Sequence, residues 1–239
     1  MIPKKIHYCW FGKKPLSKEV KKCIKTWKKY CPDYEIIEWN ESNFDVNSHP
    51  FVKKAYEAGK WAFVSDFARL KIVYEGGGIY LDTDVELLKN LDVLLENEFF
   101  IGVQQSQKCV TTGLGFGAEK NNPVVLKMLK KYDECEFDAD SLTEVMCPRL
   151  NDSVFKELGY EYKDEVVRLE GGVVFPPRYM DPLAPGYFDL LCDDTISIHR
   201  YAASWTSKTQ QLKRKLILLI GQERIVALAG FLRKKGLIE

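Results

Sequence analysis

Residues 60–87 read KWAFVSDFARLKIVYEGGGIYLDTDVEL, and they divide into three parts of different chemistry. In 60–75, Phe63, Phe67, Leu70 and Tyr74 recur at i, i+4, i+7 and i+11, which predicts a helix with one apolar face. Gly76-Gly77-Gly78 closes that helix, because glycine enters the left-handed region without a Cβ clash. The stretch IYLDTDVEL, residues 79–87, then reads as a short strand. A two-residue period along it would put Asp82 and Asp84 on one side. Paired carboxylates there suit Mg²⁺ or Mn²⁺, held directly or through water, with positions left for phosphate oxygens. The bland alternative is two solvated aspartates where a strand leaves its sheet, and a D-x-D alone does not decide between them.

Working outward, residues 5–11, KIHYCWF, read as an opening strand that turns at Gly12. Residues 17–30 read as a helix capped by Ser17, with Val20, Ile24, Trp27 and Tyr30 at helical spacing. Residues 34–39 give a second strand after Pro32-Asp33. This β-α-β order is how nucleotide-binding α/β domains open. Further on, GLGFG at 113–117 reads as a glycine-rich loop without the Lys-Ser/Thr of a phosphate loop. A strand TISI at 195–198 leads into His199. No repeat or Pro/Ser linker divides the chain, so residues 1–207 are read as one domain. Residues 208–239 are read as a basic, apolar helical appendage of it.

The 239 residues carry 35 Lys+Arg against 34 Asp+Glu, and 46% are hydrophobic, which excludes a disordered or fibrous chain. A net charge of +1 argues against a nucleic-acid partner, but the charge is uneven. Residues 1–31 sum to +9 and 208–239 to +6, which leaves −14 for the centre. The seven cysteines form no C-x-x-C pair, which points to a reducing compartment rather than a disulfide framework or zinc knuckle. The N-terminus lacks a signal-peptide core, and no run reaches the ~18 apolar residues of a membrane span, so a cytoplasmic location is expected. The tail KRKLILLIGQERIVALAGFLRKKG, residues 213–236, has five apolar residues in a row between basic clusters. It reads either as peripheral contact with the inner face of a membrane or as a helix docked on the core with its lysines solvated.

Residues 62–87 resemble the core of the DXD sugar-binding glycosyltransferases of family 32, which include yeast-type α-mannosyltransferases and bacterial capsule transferases. The layout is also similar to the glucosylating domain of the large clostridial toxins. The resemblance rests on Ser65-Asp66, Arg69, Gly76-Gly77-Gly78, Tyr80-Leu81-Asp82 and Asp84. It extends to the opening Ile2–Gly12 and to His199 through Ser204-Trp205, and so spans 1–207.

The resemblance implies an α/β fold, a GT-A type, Rossmann-like nucleotide-sugar-binding domain with a mixed central sheet. It implies a metal-dependent, retaining transferase that moves a hexose or N-acetylhexosamine from a UDP- or GDP-sugar. The acceptor would be a glycan or lipid-linked glycan in surface polysaccharide or capsule synthesis. Asp82 and Asp84 become the catalytic pair and, with His199, ligands of Mn²⁺ or Mg²⁺. Trp10, Asp66, Arg69, Gly78, Tyr80, Ser204 and Trp205 become donor contacts, while Gln104 and Gln105 are candidates for the acceptor. Each has a plainer reading beside it. Asp66 and Arg69, at i and i+3 on a face away from Phe63 and Phe67, could be a surface ion pair worth under ~1 kcal/mol. Trp10 and Trp205 could be core, His199 a satisfied strand-end histidine, and both glutamines solvated. His7 is expected to be buried in the first strand and His49 to sit in a turn.

Two other functions fit parts of the pattern. In a haloacid-dehalogenase-type phosphatase, Asp82 would be the nucleophile and Asp193-Asp194 the late acidic pair, but the Ser-Asp-x-x-Arg and His…Ser-Trp elements would go unused. A catalytically silent sugar-nucleotide-binding module would bind without turnover, and the intact Asp82/Asp84 pair argues against it.

Overall fold

The computed structural model describes residues 1–139, 141 and 145–202. Strand β1 (Lys5–Cys9), helix α1 (Lys18–Tyr30) and strand β2 (Glu35–Trp39) form the expected β-α-β unit, with β1 and β2 parallel from Lys5↔Glu35 to Cys9↔Trp39. The Ser17 side chain accepts the Val20 N–H at the start of α1, whose buried face is Val20, Cys23, Ile24 and Trp27. His49 caps α2 (Pro50–Glu57) by accepting from the Phe51 N–H.

Helix α3 (Trp61–Gly76) stands where predicted but is more buried than one apolar stripe allows. Val64, Phe67, Ala68, Arg69, Leu70, Ile72 and Val73 are all buried, while Phe63 and Tyr74 are only half-buried. The reason is its position, against β1 and the sheet on one side and α2 and α4 (Pro123–Asp133) on the other. Gly77, at φ 64°, ends it. Gly78 has φ 111°, and a Cβ there would sit 2.8 Å from His7 Nε2. The buried His7 donates from Nε2 to the Gly77 carbonyl at 2.9 Å and accepts from Trp39 Nε1 at 3.1 Å.

The segment IYLDTDVEL is not one strand. Strand β3 (Gly78–Tyr80) ends before the aspartates and β4 (Val85–Leu87) begins after them, with a turn closed by Val85 N–H to Asp82 C=O at 3.0 Å. The turn arises because β3 and β4 serve different sheets. β3 pairs with β1, whereas β4 packs on α1, where Trp27 Nε1 donates to Val85 C=O at 2.7 Å and the Leu87 N–H donates to Thr26 Oγ1 at 3.0 Å.

The remaining strands are β5 (Phe99–Val103), β6 (Val110–Ala118), β7 (Val167–Leu169), β8 (Gly172–Phe175) and β9 (Ser197–His199). The mixed central sheet runs β2-β1-β3-β6-β5-β8-β7, and β4 and β9 form a separate antiparallel pair. The β3/β6, β5/β6 and β7/β8 pairings are antiparallel, and the others in the large sheet are parallel. Residues 113–117, expected to form a loop, lie inside β6. Their glycines give clearance, since a Cβ on Gly117 would run into the Phe100 ring. Helices α2, α3, α4 and α5 (Cys147–Glu157) cover one face of the sheet. The core on the other face draws on α1, β4 and α6 (Pro177–Met180). All seven cysteines are free thiols. Among the described residues no helix is long and apolar enough to cross a membrane. The predicted appendage 208–239, Ser204 and Trp205 lie outside the described residues.

Candidate active site

The turn between β3 and β4 carries Asp82 and Asp84, and the β4–β9 register sets Val85 opposite His199, which brings the imidazole beside Asp84. One ligand atom from each of Asp82, Asp84 and His199 lies within 4.8 Å of the others. His199 Nε2 is 3.2 Å from Asp84 Oδ1, the Ala202 N–H donates to Asp84 Oδ2 at 2.8 Å, and the Arg200 N–H donates to the Asp84 carbonyl at 2.9 Å. Burial pulls the Asp84 carboxyl upward, but the His199 charge and the hydrogen bonds from His199 and the Ala202 N–H overcome it and hold the group down to about 2. Burial pulls His199 the other way, and Asp84, then Asp82 and Asp181, raise it to about 9. Asp82 is shifted upward, chiefly by burial and with Asp84 adding, while Arg69 opposes.

Arg69 is 4% exposed, so the plainer alternative of a surface ion pair does not hold and the pair is a buried bridge. Its Nη2 reaches Asp66 Oδ1 at 2.8 Å and Asp82 Oδ1 at 3.2 Å. Nε donates to the Ser65 carbonyl at 3.1 Å, Nη1 donates to Thr112 Oγ1 at 3.3 Å, and the guanidinium lies 4.8 Å from the Tyr80 ring centroid. The Tyr80 hydroxyl donates to Asp82 Oδ1 at 3.1 Å. Asp66 is pushed up to about 6, first by burial and further by Asp82, with Arg69 opposing. One guanidinium thus orients two carboxylates from two elements, a geometry that a planar fork supports and an ammonium does not.

These groups line a cavity of about 470 Å³, a size that holds a small ligand. Of the residues singled out in the sequence, Trp10, Asp66, Arg69, Tyr80, Asp82, Asp84, Gln104 and His199 line it. Gly78 does not, since its place is the close packing of β3 on His7. Gln105 does not either. Its amide is buried and donates to the Asp181, Pro182 and Phe188 carbonyls, and its oxygen accepts the Phe188 N–H. Asp193 and Asp194 lie away from the cavity, and Asp194 pairs with Arg178, so no late acidic pair faces Asp82.

Sequence reasoning missed Trp61, Gly113, Cys147 and Tyr201, all of which line the cavity. Gly113 had a signal in GLGFG, whose meaning is close approach: a Cβ there would sit 2.9 Å from Asp82 Oδ2. Trp61 lies one turn before Ser65 and packs where Gly12 leaves room for its indole. The two carboxylates and one imidazole fit a hard-to-borderline divalent ion, and the imidazole favours Mn²⁺ over Mg²⁺.

A mixed sheet that delivers a D-x-D turn to a cavity beside a β-α-β unit is the build of a GT-A glycosyltransferase. Among solved structures, the PaToxG glycosyltransferase is similar with a TM-score of 0.54 at 20% identity, covering 66% of this chain and 70% of that one. Residues 17–101 match the family described as glycosyltransferase sugar-binding region containing DXD motif. The chain is 27% identical over 215 residues to an uncharacterized glycosyltransferase of Acanthamoeba polyphaga mimivirus, 86% of this chain and 84% of that relative. It is 28% identical over 144 residues to inositol phosphoceramide mannosyltransferase 3 of Schizosaccharomyces pombe, 57% of this chain but 39% of the longer relative. Residues 17–101 are therefore a glycosyltransferase sugar-binding region with its DXD motif, and the chain is a glycosyltransferase enzyme.

Proposed function

We propose that this glycosyltransferase is metal-dependent and retaining, and moves a hexose or N-acetylhexosamine from a UDP- or GDP-sugar to a glycan or lipid-linked glycan in surface polysaccharide synthesis. The observation that carries the reading is the convergence of Asp82, Asp84 and His199 from two sheets at a cavity that also holds the Asp66–Arg69–Asp82 bridge. Asp82, Asp84 and His199 would hold Mn²⁺ or Mg²⁺, which when bound neutralises a diphosphate and stabilises it as a leaving group. Arg69 keeps Asp66 and Asp82 in place, and Asp66 offers its carboxylate to ribose or sugar hydroxyls. Trp10, half-buried and anchored by its Nε1 to the Lys14 carbonyl at 2.6 Å, offers an aromatic face for a base. Gln104 is the remaining amide placed to meet an acceptor.

The three aspartates of the cavity are all engaged, Asp66 and Asp82 by Arg69 and Asp84 by His199 and the Ala202 N–H. Asp193 and Asp194 lie away from Asp82, and that, with the match to a glycosyltransferase region, disfavours the phosphatase reading. Retention in this reading would proceed by same-face attack. The bond from the anomeric carbon to the phosphate oxygen breaks, the acceptor oxygen bonds to that carbon on the same face, and its proton passes to the departing diphosphate. The name of the Schizosaccharomyces pombe relative supports a hexose and a lipid-borne acceptor. Contact of residues 208–239 with the cytoplasmic face of a membrane belongs to the same reading.

The test is nucleoside-diphosphate release from a panel of UDP- and GDP-sugars, with Mn²⁺, with EDTA, and with Asp82→Asn and Asp84→Asn. Slow hydrolysis of one donor that needs the metal and both aspartates is the expected result. No turnover together with no calorimetric donor binding would end the reading. An inverted product anomer by NMR would remove retention alone.

A further inference from the structure

Asp181 is a carboxylate with no exposed surface, set just after α6, and nothing in the proposed reaction uses it. Its Oδ2 accepts the Gln105 N–H at 2.7 Å and the Tyr201 hydroxyl at 2.7 Å. Its Oδ1 is buried without a partner among the described residues, and so is His199 Nδ1. Burying a carboxylate is costly, so its presence needs a reason beyond packing.

Tyr201 supplies that reason. It has φ 49°, a conformation that bulky residues adopt under constraint, and it lies between His199 and Ala202, the two residues that bond the Asp84 carboxylate. Its ring packs edge-on against the His199 imidazole, with centroids 4.2 Å apart. The backbone angle of Tyr201 therefore sets where both the imidazole and the Ala202 N–H point, and the bond to Asp181 holds it there. Asp181 in turn cannot drift, because Gln105 also grips its backbone carbonyl together with those of Pro182 and Phe188.

We infer that Asp181 is a positioning residue for the ion site, acting through Tyr201 to hold His199 and the Ala202 N–H in the geometry that receives a divalent cation. The inference rests on the Asp82–Asp84–His199 reading of that site. Metal-ligating histidines depend on such outer contacts, whose loss weakens metal binding by about 10–100-fold.

The experiment is Mn²⁺ titration of the full chain, followed by the EPR signal of free Mn²⁺, for wild type, Tyr201→Phe and Asp181→Asn, with melts in EDTA as the fold control. Tyr201→Phe keeps the ring on His199 and removes the hydroxyl that bonds Asp181. It is expected to raise the Mn²⁺ Kd by about 10-fold or more while the EDTA melt stays near wild type. Asp181→Asn should do the same or more, and if it fails to fold, Tyr201→Phe decides by itself. A Tyr201→Phe Kd within twofold of wild type overturns the positioning role and leaves the ion site standing. A wild type that binds no Mn²⁺ overturns both.

Discussion

Arg69 is the residue on which the charge balance of the cavity turns. Its guanidinium lies between Asp66 and Asp82, and both carboxylates are lifted above the usual range by burial despite it. Replacing it with Met would leave two carboxylates in a poorly solvated site. Arg69→Met is expected to lower stability by about 3–5 kcal/mol in urea unfolding, and a loss under about 1 kcal/mol would mean the bridge behaves as a surface pair. His199 and Asp84 contribute to the pH dependence of the metal-free protein in opposite ranges. A folded pKa of about 9 against 6.5 means His199 binds its proton more tightly when folded, so its contribution is complete below 6.5 and is lost as pH rises through 9. Asp84 acts in the opposite range, its contribution present above 3.8 and lost as pH falls through about 2. In EDTA, the stability advantage of wild type over His199→Gln should therefore shrink between about pH 6.5 and 9.5. A pH-independent difference in thermal melts would contradict the pairing.

At the scale of elements, the site depends on two close approaches. β6 passes Asp82 at Gly113 with no room for a methyl group. Gly113→Ala should displace the carboxylate that Arg69 and Tyr80 hold. The expected result is Mn²⁺ binding weakened at least ~10-fold with a melting temperature within a few degrees of wild type. An unchanged Mn²⁺ affinity would show that Asp82 moves aside without consequence. The second approach is α1 on β4, where the fully buried Trp27 donates to Val85 C=O next to the D-x-D turn. Trp27→Phe leaves that carbonyl unpaired and should lower stability by about 1–3 kcal/mol in the same unfolding assay. The β-α-β unit, α3 and its glycine stop were legible because caps and apolar periodicity are local signals. The break of IYLDTDVEL into β3 and β4 was not, because the same residues satisfy a strand pattern until Trp27 and Thr26 claim β4 for α1.

At the scale of the whole molecule, the candidate ion site joins the large sheet, through the turn after β3, to the β4–β9 pair. A ligand that binds only the folded form stabilises it by mass action. Mn²⁺ at 100 times its Kd should add about 2.7 kcal/mol and raise the melting temperature by about 5–10 °C over EDTA. No shift in a scan with Mn²⁺ would count against an ion bridging the two sheets. The sequence by itself determined the order of the first elements, the D-x-D pair, the Ser-Asp-x-x-Arg helix and the strand that ends at His199, since each is written in residues close along the chain. Only the tertiary structure decided that Arg69 is buried between two carboxylates, that β9 returns beside β4, that Gly113 clears space for Asp82, and that Gln105 secures a loop instead of facing the cavity. Those outcomes depend on strand pairings and packing between residues tens to over a hundred positions apart, and local periodicity carries no record of which distant face each side chain will meet.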